Sequence, residues 1–155
     1  MKRGEIELQV DVLRSVTGLT ADDLAATESI AFANGKSYSV PAPDVMLKAK
    51  LANLATHEQR ERQDERHVRI LIRCCAHYLA DACAAVRAGT LTEREAVERF
   101  MATHRLTTGE LACRLEKKFG LGISSAIPAR SSLEKSNELR RIRAFYEHQI
   151  EGEAR

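Results

Sequence analysis

Few side chains in this sequence combine a reactive type with a spacing that could do chemistry. Asp11 lies in the alternating stretch "EIELQVDVL", flanked by Val10 and Val12. A carboxylate there can ligate a divalent cation, or it can sit solvated on an exposed strand face. Glu7 shares that face, but at ~3.3 Å per residue the two stand roughly 13 Å apart, too far to chelate one ion. Gln9, between them, is a weaker ligand. Lys50 flanks the stripe of Leu47, Leu51 and Leu54 and can lay its stem on apolar surface while its amine reaches water. Asp64 has the position of a helix cap. Cys74, Cys75, His77 and Cys83 carry metal-ligating atoms, yet a structural zinc site needs four ligands, usually as two separated pairs. No further pair at that spacing occurs, so these read as packing thiols.

The elements that must position these residues follow from periodicity. Residues 6–13 alternate, with Ile6, Leu8, Val10 and Val12 on one face, which predicts a strand. A loop with about one helical turn follows. Asn34-Gly35 between two β-prone runs predicts a hairpin with strands near 29–33 and 36–40, ended by Pro41 and Pro43. Beyond it the pattern is helical. A Pro-Asp start opens a helix at 43, with Leu47, Leu51 and Leu54 inward. A second helix runs from Asp64 to a stop at Gly89, on Val68, Ile72, Cys75, Leu79 and Val86. Thr92 and Glu95 have capping-box spacing; Thr107 and Glu110 repeat it before a helix closed by Gly120. Residues 120–132 read as a linker. A last helix follows on Leu139, Ile142, Phe145, Tyr146 and Ile150.

The expected class is α+β: a partial antiparallel or mixed sheet of about three strands, then about five helices. Residues 1–58 form the β-containing segment and 59–155 the helical region, packed as one unit. The chain has 155 residues, 44% apolar and 30% charged, with net charge +2 and no Trp. That charge is too small to argue for a nucleic-acid or membrane partner. No apolar run is long enough for a membrane span, no signal peptide is apparent, and adjacent Cys74 and Cys75 suit a reducing compartment. The expected location is cytoplasmic.

A strand carrying "VDVL", a hairpin, then "VPAPDVMLKAKLANL" and "ERQDERHVRIL" resembles, in that order, the second half of a nucleotidyltransferase-fold domain. The resemblance covers roughly residues 5–72. It implies Asp11 as the third metal-binding carboxylate, Ala49-Lys50 as the helix pair with Lys50 contacting a nucleotide phosphate, and Gln63-Asp64 at the family's charged turn. It also implies Mg²⁺ as cofactor and nucleotidyl transfer from an NTP to a hydroxyl. The family's Gly-Ser followed by D-x-[DE] has no counterpart, and Asp22-Asp23, adjacent in a loop, do not replace it. Gln63 stands where the family usually has lysine. The expectation is a truncated or degenerate member, inactive alone, completed by a missing N-terminal half or self-associating through an open sheet edge.

The alternative is a non-catalytic helical interaction module or a small DNA-binding regulator. "LTTGELACRLEKKFGLGISSAIPAR" has some look of a helix-turn-helix, but Pro128 breaks its expected second helix. The basic residues of 114–118 and 140–143 are interleaved with glutamates and read as solvated faces.

Overall fold

The computed structural model describes residues 16–25, 27–31, 35–58, 63–129 and 139–150. The fold is α+β. The strand expected over 6–13, with Asp11, lies outside the described residues. Within them, β1 (Thr27–Ala31) pairs antiparallel with β2 (Ser37–Pro41). The register sets Ala31 opposite Ser37. A two-residue Asn34-Gly35 turn would set Ala31 opposite Tyr38 instead, so that turn is corrected; residues 32–34 lie outside the described residues. Gly35 keeps the positive φ that its type suggested, at 76°.

Six α-helices occur among the described residues: α1 (Ala21–Ala25), α2 (Pro43–Thr56), α3 (Asp64–Arg87), α4 (Glu93–Thr108), α5 (Glu110–Phe119) and α6 (Arg140–Phe145). A π-helical turn, Tyr146–Ile150, continues α6. No helix among the described residues is long and apolar enough to cross a membrane.

Local signals explain most of the boundaries. Pro43 takes the first turn of α2, where its missing N–H costs nothing. Thr92 and Glu95 form the expected capping box on α4. α3 ends in a Schellman motif: the Gly89 N–H bonds Val86 O, the Thr90 N–H bonds Ala85 O, and Gly89 has φ 72°. Gly120 closes α5 in the left-handed region.

Thr107 does not cap α5. It is buried inside α4 and its hydroxyl donates to His104 O, because α4 runs on to Thr108 and Gly109 takes the cap position. The expected linker is corrected too. Leu121, Ile123 and Ala126 are buried, the last two on a 3₁₀ turn spanning Ile123–Ala126. The Glu116 carboxylate accepts from the Gly122 and Ile123 N–H groups and turns the chain back onto α3. That 3₁₀ turn stands where a recognition helix was weighed.

Two clusters make the core. In the first, Leu47, Leu51 and Leu54 of α2 meet Val68, Leu71, Ile72 and Cys75 of α3, with Ala112 and Leu115 of α5 and the 121–126 turn. Each fully buried leucine contributes about 2 kcal/mol of apolar burial. In the second, Leu79, Ala82, Cys83 and Val86 of α3 meet Ala96 and Phe100 of α4 and Leu139, Ile142, Phe145 and Tyr146. Phe100 lies edge-on to Phe145 and Tyr146 at centroid distances of 6.0 and 5.8 Å. α3 belongs to both clusters.

Candidate functional site

Asp11 lies outside the described residues, so the site is built from the side chains around α2. Helical spacing puts Leu47, Leu51 and Leu54 into the first core and leaves Lys50 at its margin. The Lys50 amine does not simply reach water. Its Nζ donates to the Asp64 carboxylate at 3.0 Å. Asp64 is not the N-cap of α3: Gln63 holds that position, and Asp64 is the first helical residue. Its side chain is 3% exposed, against 31% for Lys50. The two motif positions that carried the resemblance, Lys50 and Asp64, are thus joined across the α2–α3 corner.

Two residues earlier, Lys48 reaches α1. Its Nζ donates to both Asp23 oxygens, at 2.9 and 2.8 Å. Asp23 also accepts from the Thr20 N–H and hydroxyl, while its own N–H donates to the Thr20 hydroxyl. This reciprocal cap fixes α1, and the Thr20-x-x-Asp23 spacing was its sequence signal. The Lys48 hydrogen bond, with those from Thr20, holds the Asp23 carboxyl down at about 2.

α1, α2, α4 and α5 line a half-open cavity of about 490 Å³. Val45, Leu51, Leu106 and Leu111 supply apolar wall; Asp23, Lys48, Asp44, Arg105 and Glu110 supply charge. A second cavity, about 280 Å³, shares Asp44, Val45 and Ala102 with the first. Its far side holds a fastened trio. The Glu28 carboxylate of β1 accepts from the Tyr78 hydroxyl at 2.6 Å and pairs with Arg99 at 2.9 Å. The Arg99 guanidinium lies 4.6 Å from the Tyr78 ring centre. This trio ties the hairpin to α3 and α4. Burial and the Glu28 bond push the Tyr78 phenol up.

Asp44, between the cavities, is held above the usual carboxylate range, chiefly by burial. Sequence reasoning missed it. Its one signal, Lys48 four residues on, predicts an ordinary helical ion pair, and the structure gives that lysine to Asp23.

Cys75 and Cys83 are buried as expected, but Cys74 is exposed, because α3 turns it away from the stripe. His77 is exposed as well. Burial pushes the Cys75 thiol up to about 12. Among the described residues, no group of three or more His, Cys, Asp or Glu could hold a metal. Their carboxylates do not converge as Mg²⁺ would need: Asp23 and Asp64 each face a lysine. Comparison with protein-family models, with curated proteins and with solved structures finds no match.

Proposed function

We propose that this chain is a nucleotidyltransferase-like protein that is catalytically inactive alone. The observation that carries the reading is the Lys50–Asp64 pair, at 3.0 Å. It joins two motif positions fourteen residues apart, in the expected order: hairpin, Pro43-led helix, Asp64-led helix. In this reading Lys50 is first a strut between α2 and α3, and contacts a phosphate only by leaving Asp64.

Inactivity rests on the absence of a Gly-Ser step and its D-x-[DE] pair from the sequence, and on described carboxylates that do not fit a two-metal clamp. Transfer of a nucleotidyl group to a hydroxyl would need a segment bringing that motif beside Asp11. Mg²⁺ would belong to that completed site.

Thermal unfolding of the purified chain with millimolar Mg²⁺-ATP tests the reading. Nucleotide bound to the native state raises the midpoint by mass action, while labelled ATP is transferred to no acceptor. An unchanged midpoint in a well-folded sample overturns nucleotide binding. Label transfer by the chain alone overturns inactivity.

A further inference from the structure

Asp44 occupies the second position of α2 and lines both cavities. Two cations that line these cavities with it are committed elsewhere. Lys48, one turn on, is bound through both oxygens of Asp23. Arg99 is held by Glu28 and lies over Tyr78. The backbone of Asp44 and Val45 at the start of α2 lowers the Asp44 carboxyl against the effect of burial. The remaining charged residues of the larger cavity, Arg105 and Glu110, are exposed and opposite in sign.

Any occupant of this space must either pair with Asp44 or strip it of water. Burying a carboxylate without a partner is costly, and a matched donor removes that cost. An anion would be repelled by Asp44, while Asp23 and Lys48 offset one another. A neutral apolar molecule would desolvate Asp44 and return nothing. We infer that the cavity of about 490 Å³ is a binding site for a small primary amine on an apolar stem. The ammonium donates to Asp44, and the stem packs on Leu106 and Leu111. This site is independent of the nucleotidyltransferase reading.

Isopentylamine is the probe, titrated calorimetrically into the full chain at pH 7.5, with isopentanol as its uncharged match. The expected result is saturable binding of the amine, none of the alcohol, and at least tenfold weaker binding by Asp44→Asn. Backbone amide spectra of the unsubstituted chain should show the shifts at Val45 and Leu106, and should leave Ile142 in place. Equal binding of amine and alcohol, unchanged affinity in Asp44→Asn, no saturable binding, or shifts centred on Ile142 each overturn the site. The spectra keep the test open should Asp44→Asn fail to fold.

Discussion

Lys50 and Asp64 are unequal partners, and substitution should show it. Lys50→Met leaves a carboxylate that is 3% exposed without its lysine. Asp64→Asn leaves a lysine that can turn its amine to water. Breaking a fully buried pair costs about 3–5 kcal/mol; with Lys50 partly exposed, Lys50→Met should cost about 2 kcal/mol. Asp64→Asn should cost about 1 kcal/mol. Urea unfolding curves measure both, and equal losses would contradict the asymmetry.

Asp23 and Asp44 should give opposite pH signatures. The folded carboxyl of Asp23 titrates near 2, below its ordinary 3.8. Its contribution is therefore present above 3.8 and lost as pH falls toward 2. Asp44 is shifted upward from 3.8, so the folded state holds its proton longer and stability declines as pH rises through that window. Asp23→Asn should therefore lose stability relative to the parent above about pH 4 and match it near pH 2. Asp44→Asn should gain on the parent as pH rises past 4. The Asp23 effect stays within about 1 kcal/mol, because the Lys48 side chain is 41% exposed and solvent screens the pair. Thermal midpoints from pH 2 to 7 check both signs.

At the level of elements, the caps and glycines offer sharper tests. Thr92→Ala removes an acceptor for the Glu95 N–H and should cost about 1 kcal/mol. Gly18→Ala should cost more. Gly18 has φ 80°, and an added Cβ would fall 2.4 Å from the Ala52 Cβ, inside contact distance. Chemical denaturation of the two variants should rank them in that order.

These same elements separate what sequence could show from what it could not. The helical stripes were legible because each repeats over many residues, and all five positions named for α3 are buried. Thr92–Glu95 and Thr107–Glu110 looked alike as pairs. What separates them is where α4 stops, and that is set by tertiary packing around Thr103, His104 and Thr107. Residues 120–132 read as a linker from their glycines, yet two left-handed glycines and the Glu116 carboxylate fold the 121–126 part into the core. Asp44 was invisible because its burial depends on α1, α4 and α5, none adjacent to it in sequence. The Lys50–Asp64 positions were legible as motifs, but their contact was not.

At the scale of the whole molecule, α3 is the shared member. Its 24 residues span about 36 Å at ~1.5 Å each, so one rigid element runs through both clusters. Leu51→Ala in the first cluster and Phe100→Ala in the second should each cost about 3–4 kcal/mol. In either variant, far-UV dichroism and tyrosine fluorescence should report one coincident transition. Tyr146 belongs to the second cluster, Tyr78 packs against it, Tyr38 is already exposed and the chain has no Trp, so the change in fluorescence follows that half. A split in either variant would mean that α3 does not couple the clusters.

The distribution of thiols on that same helix gives the molecule its own pair of stopwatches. Cys75 lies in the first cluster and Cys83 in the second, while Cys74 and Cys113 are exposed. Burial raises both interior thiols and starves them of thiolate, so a colorimetric disulfide reagent reaches them only when the surrounding packing opens. The unaltered protein should therefore react in two fast and two slow steps. The slow steps time the breathing of each half separately. A cavity ligand should lengthen the Cys75 step first, without any label having been introduced.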